Sequence, residues 1–442
     1  MRIRPTLFCL LATFACLTSP GFGKLWAQDD AGQQGSSGGQ SAASQEFDQL
    51  FVQWREKLDA MRKLQVEYKR ALPAEQNGME QQFAQLLTEA TEMSVRLQSL
   101  VEEAYVANPA DPDKEEFLIS MAYAKYKQDK FEESLRLCKV LLNTQTDVRG
   151  GVLDLTAQNE YLLNNYDEAQ RLIAEAETEL NKVQRPLAAE TQAMRTNLEA
   201  DRAAWQEELA FQQADATPEG DPNALPRVEL ETTKGKIVIE LFENEAPNTV
   251  ANFITLVRNG TYNGTPFHRV IEGFMAQGGD PNGDGTGDAG YKIPFESNKE
   301  PYRKHFRAAV AMAHGPQSKD TGGTQFYIVY RRTGSRHLDG EHTVFGRVIE
   351  GMDAATDFAR PAPGSRDPTI ENPDRILTAT VLNARDHEYT FRKVGDPVPE
   401  DTGNADGSAD ADSTGGGDSG SGDNSGSGDA GNGGDTTGGG GN

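Results

Sequence analysis

Cysteine is scarce: there are three in 442 residues, and Cys9 and Cys16 both fall in the first apolar run. A disulfide scaffold and a cysteine-rich zinc module are therefore excluded. Apolar residues reach only 36%, below the usual share of a globular chain. After Leu17 no apolar stretch is long enough to cross a bilayer. Basic residues are outnumbered, 43 Lys and Arg against 68 Asp and Glu, for a net charge of −25. So acidic a chain has no general attraction to phosphates or anionic lipid, which excludes a nonspecific nucleic-acid binder and a basic membrane-surface protein. Histidine is missing from the first 267 residues: His268, His305, His314, His337, His342 and His387 all follow. Any imidazole chemistry is confined to that part.

The charge is distributed unevenly. Residues 1–225 carry 22 bases and 36 acids, residues 226–394 carry 21 and 22, and residues 396–442 carry ten acids and no base. The nets of −14, −1 and −10 mark three kinds of material, and the length suits two or three domains. At the start, Arg2 and Arg4 precede the apolar run Leu7 to Leu17. This pattern predicts a signal peptide over 1–27, cut after Ala27, and hence an exported chain, periplasmic or secreted. An uncleaved anchor and lipidation at Cys16 are the alternatives. After cleavage no membrane span is expected, and Cys138 alone cannot form an internal disulfide. Residues 28–43, rich in Gly, Ser and Gln, read as a flexible linker.

Over 44–215 the period is helical. Phe47, Leu50, Phe51, Trp54, Leu58, Met61, Leu64 and Tyr68 form one stripe, and Met79, Phe83, Leu86, Leu87, Met93, Leu97, Leu100 and Val101 a second. Two long amphipathic helices predict a coiled-coil-like hairpin. A weak repeat follows over 113–182: Phe131-Glu-Glu-Ser134 is echoed by Tyr166-Asp-Glu-Ala169. The spacing resembles a tetratricopeptide repeat, with a plain helical bundle as the alternative. The Glu and Lys between the apolar positions read as a solvated face. Leu187, Met194, Leu198, Trp205 and Leu209 predict a last helix, and 216–225 reads as a linker between domains.

From Arg227 the period becomes two. Val228 and Leu230, then Ile237, Ile239 and Leu241, predict a hairpin turning at Thr233-Lys234-Gly235. Pro247 opens a helix with Val250, Phe253, Ile254 and Val257 on one face, and Gly260 closes it. Three stretches stand out: Phe267-His-Arg-Val-Ile-Glu-Gly-Phe-Met-Ala-Gln-Gly-Gly-Asp280, Gly322-Gly-Thr-Gln-Phe-Tyr-Ile328 and His337-Leu-Asp-Gly-Glu-His-Thr-Val-Phe-Gly346. With Lys236 to Phe242 and Ala246-Pro247, their order and spacing resemble the cyclophilin family of peptidyl-prolyl cis-trans isomerases. The resemblance covers residues 226–394 only. It implies a multi-domain chain: a tetratricopeptide-like all-α region, then a mainly-β closed eight-stranded barrel capped by two helices, then a disordered tail.

The implied reaction needs no nucleophile, metal or cofactor. Amide resonance sets a barrier of ~18–20 kcal/mol to rotation about an X–Pro bond, and the unaided exchange is slow. A fixed cation that donates to the prolyl amide favours the twisted state, and the resemblance assigns that role to Arg269. It assigns Gln277 and His342 to the catalytic set with it. Phe274, Met275, Ala313, His314, Gln325, Tyr327, His337 and Leu338 are implied to bind substrate. Strand parity places His268 opposite Arg269, as a structural residue, and turns Phe326 into the core while Tyr327 faces out. The chain departs from familiar members at His337, where tryptophan is usual, and at His314 and Tyr327, where asparagine and phenylalanine occur. Loss of the indole implies weaker cyclosporin binding.

Asp280-Pro-Asn282-Gly-Asp284-Gly285 imitates a calcium loop, but Tyr291 stands where the closing glutamate belongs. Gly285-Thr-Gly287-Asp-Ala-Gly290 imitates a dinucleotide fingerprint without the following helix. From Gly395 onward the chain has too few apolar residues to bury a core and is expected to stay disordered. The whole predicts an exported isomerase acting on proline-containing, unfolded or partly folded polypeptides, with the helical region available to a protein partner. A proline-peptide-binding scaffold, or an envelope assembly adaptor with little turnover, is the alternative.

Overall fold

The computed structural model describes residues 41–144, 148–218, 220–298, 300–361 and 369–397. The proposed signal peptide, nearly all of the first linker and most of the tail lie outside the described residues. Among the described residues, seven helices occupy the first part: α1 (Ala42–Tyr68), α2 (Pro73–Ala107), α3 (Pro112–Lys127), α4 (Phe131–Leu142), α5 (Arg149–Leu162), α6 (Tyr166–Lys182) and α7 (Ala189–Asp215). Proline opens α2 and α3, where a missing N–H costs nothing. Asp111 caps α3 by accepting from the Asp113 and Lys114 N–H groups. The apolar stripes of α1 and α2 meet along the hairpin, burying Phe47, Trp54, Leu58, Phe83, Leu97 and Val101.

The repeat is visible in the turns. Asp129 and Asn164 both take left-handed backbone conformations, with φ of 65° and 66°. Lys130 N–H then bonds Lys125 C=O at 2.9 Å, and Asn165 N–H bonds Glu160 C=O at 2.8 Å. These are the six-to-one closures of a Schellman turn, offset by the same 35 positions as Phe131 and Tyr166. Asp and Asn tolerate this conformation better than other non-glycine residues.

The second part holds strands β1 (Arg227–Thr232), β2 (Gly235–Leu241), β3 (Arg269–Ile271), β4 (Met275–Gly278), β5 (Ala309–Met312), β6 (Phe326–Val329), β7 (Val344–Glu350) and β8 (Ile376–Asn383), with helices α8 (Pro247–Arg258), α9 (Arg332–Ser335) and α10 (Met352–Thr356). The strands form one sheet in the order β3-β4-β6-β5-β7-β2-β1-β8, and every pairing is antiparallel. The expected closed barrel is corrected here: β3 and β8 are edges without a strand ladder between them. Among the described residues an isolated bridge, Pro266 to Arg375, joins the edges, with bonds such as Gly264 N–H to Ile376 C=O (2.7 Å) and Phe267 N–H to Asp374 C=O (2.8 Å). Pro266 has no N–H, so a regular ladder cannot run through it. The inner face buries Val228, Ile239, Val270, Ala276, Val310, Phe326, Ile328 and Phe345, and α8 adds Val250, Phe253 and Ile254. Glu296 accepts from the Asn248 and Thr249 N–H groups at the start of α8. Of the expected capping helices, α8 is full length and α10 has five residues.

The described residues up to Asp396 form one compact unit, in which the helical region meets the sheet region through the turn between α3 and α4 and through α7. Several acids of the helical region are buried against arginines of the sheet region. Asp129 pairs with Arg331 and, at 3.1 Å, with Arg360, and accepts from the Gly273 N–H at 3.0 Å. Asp201 pairs with Arg336 and, at 3.2 Å, with Arg332. Buried Arg303 reaches Glu208 at 2.9 Å and Asp215, between the rings of Phe211 and Phe242. Phe306 extends the helical core, meeting Trp205 ring to ring at 4.8 Å.

Candidate active site

Strand alternation builds the site on the sheet face opposite the main core. Arg269 pairs across the ladder with Gln277, Gln277 with Tyr327, and Tyr327 with Ala311. Side chains directly opposite in a ladder share a face, so one row crosses four strands. A neighbouring row pairs Ile271 with Met275 and Met275 with Val329. Met275, Ala311, Tyr327, Val329 and Val344 pack into a second, smaller core, with Phe274, Ala313 and Leu338 partly buried on it. Val270, Ala276, Phe326 and Ile328, one residue out of phase, belong to the main core.

Arg269 is exposed and makes one long contact, 3.4 Å to Gln277 Oε1. Surrounding atoms desolvate its guanidinium enough to lower the pKa, yet an arginine stays cationic. Gln277 Nε2 donates to Gln325 Oε1 at 2.9 Å, and Gln325 Nε2 donates to the carbonyls of Gly285 and Gly287, each at 3.0 Å. The glycine-rich loop thus fixes the orientation of both carboxamides. Asp280 accepts from Asn282 and Asp284 N–H groups of the same loop, at 2.9 and 3.0 Å, so its carboxylate is already engaged.

The far wall comes from the stretch after α9. Leu338 leans on the small core, and His337, exposed, lies with its ring 6.0 Å from Phe274. His342 donates from Nδ1 to Met312 C=O at 3.0 Å, stacks on His314 at 3.9 Å and meets Tyr327 edge-on at 5.5 Å. Burial, with His314 and His305 adding to it, pushes the His342 pKa down to about 4. His342 is therefore a neutral imidazole at physiological pH, with Nε2 left as an acceptor. His314 itself contacts the carbonyls of Gly315 and Glu341.

All eleven sequence-predicted residues surround this one face. His268 is half-buried and off the row, as parity required. Sequence reasoning missed what holds Tyr327. Its ring is 4% exposed, and its hydroxyl lies 2.9 Å from Nε2 of fully buried His305. His305 Nδ1 lies 3.0 Å from Asp339. A signal was available: a buried tyrosine hydroxyl needs a partner, and Asp339 sits inside the His337-Leu-Asp-Gly motif.

Residues 227–381 match the family model described as "Cyclophilin type peptidyl-prolyl cis-trans isomerase/CLD". A peptidyl-prolyl cis-trans isomerase of Synechococcus elongatus is 45% identical over 153 residues, spanning 35% of this chain and 94% of the relative. The chain belongs to the cyclophilin-type peptidyl-prolyl cis-trans isomerases. Peptidyl-prolyl cis-trans isomerase B of Bacillus subtilis is 48% identical over 124 residues, covering 28% of this cyclophilin and 83% of the relative. A cyclophilin-type isomerase of Cryptosporidium parvum, crystallised in the presence of the dipeptide Ala-Pro, is 29% identical and spans 36% of this chain and 99% of its own, with a TM-score of 0.32. The match to the family model begins at residue 227; α1–α7 precede it.

Proposed function

We propose that this face rotates X–Pro bonds, with Arg269 donating to the prolyl amide. As the bond twists, resonance is lost and the prolyl nitrogen regains its lone pair; a cation held beside it lowers the barrier without covalent chemistry. The observation that carries the reading is the hydrogen-bonded series Arg269–Gln277–Gln325, oriented from the loop carbonyls and bordering the apolar cluster of Phe274, Met275, Tyr327 and Leu338, which we propose as the proline recess. The recess takes the proline ring, His342 closes its side, and Ala313, His314 and His337 border the path of the flanking peptide. The two glutamines aim the guanidinium and offer hydrogen bonds to the substrate backbone. The cis-to-trans rate of a proline tetrapeptide tests this: the wild type accelerates it and Arg269→Ala does not. Equal rates near the uncatalysed value in both would reject the reading.

The clients proposed are unfolded or partly folded polypeptides met after export, with the helical hairpin α1–α2 as the surface for a protein partner. The basic start and apolar run before Ser19-Pro20 support export. Fractionation of cells producing the full chain tests it: the mature chain is expected outside the cytoplasm. A second reading, a peptide-binding scaffold with little turnover, draws on the departures at His314, His337 and Tyr327. Peptide binding without exchange enhancement by NMR would select it.

A further inference from the structure

A continuous file of side chains runs from the helical region to the wall of the recess. Asp201, on α7, is fully buried. Its carboxylate accepts from Arg332 Nε at 3.2 Å, from Arg336 Nε at 2.8 Å and from the Tyr161 hydroxyl at 2.5 Å. Arg332, on α9 and nearly without exposure, donates from Nη1 to Asp339 Oδ2 at 2.6 Å. The other oxygen of Asp339 accepts from His305 twice, from the backbone N–H at 2.9 Å and from Nδ1 at 3.0 Å. Nδ1 facing a carboxylate carries the proton, so Nε2 accepts, and the Tyr327 hydroxyl donates to it at 2.9 Å. Five side chains are thus linked through four contacts, and each middle member has partners on both sides.

We infer that Asp201, through Arg332, Asp339 and His305, sets the position of the Tyr327 ring, so that the helical region is a positioning part of the proline recess. The inference rests on the proposed role of Tyr327 as recess wall. Its chemistry is that of a one-way donor chain. Arg332 can only donate, so it bridges the carboxylates of Asp201 and Asp339, with its guanidinium over the Phe306 ring. Asp339, fixed at both oxygens, selects the imidazole tautomer, and that tautomer fixes where the phenol oxygen must sit. The same Asp339 follows Leu338 in the chain, so the wall opposite Phe274 moves with it. A second tie acts on the other wall: Asp129 accepts from the N–H of Gly273, the residue before Phe274. A Cβ on Gly273 would meet the Arg331 side chain at 3.5 Å, and the glycine's φ of +72° disfavours any other residue. Phenylalanine at 327 would fill the recess equally well but would break the file at its last contact. The hydroxyl therefore has a use that the aromatic wall alone does not explain.

The file has no role in the charge chemistry of Arg269, so its loss should act on substrate binding rather than on turnover. A double-mutant cycle in the full chain tests it, with a proline tetrapeptide as substrate. Asp201→Asn is expected to raise KM about threefold or more, with kcat within a factor of two, as for coupled neighbours. In the Tyr327→Phe background the same substitution should change KM no further. Equal effects of Asp201→Asn in both backgrounds, or a loss of kcat at unchanged KM, would overturn the inference, since a merely structural acid lowers the active fraction and leaves KM alone. Arg269→Ala, assayed alongside, separates the two readings: if it keeps full turnover, the site assignment fails; if turnover is lost while the cycle is additive, only the file fails. Nitrogen NMR of the wild type gives a test independent of any variant's folding. His305 should be the Nδ1–H tautomer at neutral pH, and finding the Nε2–H tautomer would refute the donor order.

Discussion

Two sets of arginines in this protein differ in how much of their hydrogen-bonding capacity is already committed. Arg269 makes a single 3.4 Å contact and is exposed. Arg331 lies against the rings of Tyr126 and Phe131, donates to Asp129 and bonds the Tyr126 carbonyl at 2.9 Å. Burial works to lower the Arg331 pKa, but Asp129 beside it prevails and the net shift is upward. Arg332 is likewise divided between Asp201 and Asp339. A guanidinium has five donors in a fixed fork. Where the protein occupies them, the arginine joins two regions; where it leaves them open, the arginine is available to a substrate. The same side chain thus serves as a joint in one place and keeps its donors open in another, and its surroundings decide which.

Asp129→Asn should show the largest effect in a test of this contrast. It keeps a side chain that tolerates positive φ but removes a charge buried against Arg331 and Arg360. Breaking one partner from such a pair costs about 3–5 kcal/mol, read as a fall in urea stability. An unchanged midpoint would mean that the joint arginines are no more tightly engaged than Arg269. Next, Arg269→Ala should lower kcat/KM by about 2.7–4 kcal/mol, the range for removing one pre-organised donor, while leaving the urea midpoint where it was. A parallel loss of stability would place Arg269 among the joints. Gln325→Ala should cost about 1 kcal/mol in kcat/KM, since it frees Gln277 from the loop carbonyls and leaves the guanidinium in place. A pH dependence is also expected. His342 titrates near 4 when folded, against an ordinary value of 6.5. Between those values the unfolded chain takes up a proton that the folded chain refuses, so stability falls as pH drops from about 6.5 to about 4 and this contribution then levels off. Wild type should lose more stability than His342→Gln across that window, as measured by thermal unfolding.

The site was legible because alternation and motif spacing agree. Arg269, Gln277 and Tyr327 fall on one face by parity, with His268 and Phe326 out of phase. The helices were legible from stripes such as Phe47 to Leu64. The joints were not. Asp129 and Arg331 stand 202 positions apart, Asp201 and Arg332 131 apart, and a charge at a polar helix position looks like any solvated residue until its partner is placed. The expected closed barrel was wrong for a local reason: with proline at 266, an irregular stretch stands between the edges where a ladder was anticipated. His305 was missed because its importance arises only once Tyr327 has turned its hydroxyl inward.

The segment between α7 and β1 has the composition of a domain border, and a laboratory preparing the catalytic half alone would cut there. Phe306, Phe242 and the guanidiniums of Arg303, Arg331 and Arg332 would then face water without the acids and rings that now cover them. The excised piece would carry a new adhesive surface, half greasy and half cationic. Its solubility and its apparent taste for acidic molecules would report on the cut rather than on the enzyme. A catalytic fragment that keeps these joints covered has to include the stretch from Tyr126 to the end of α7.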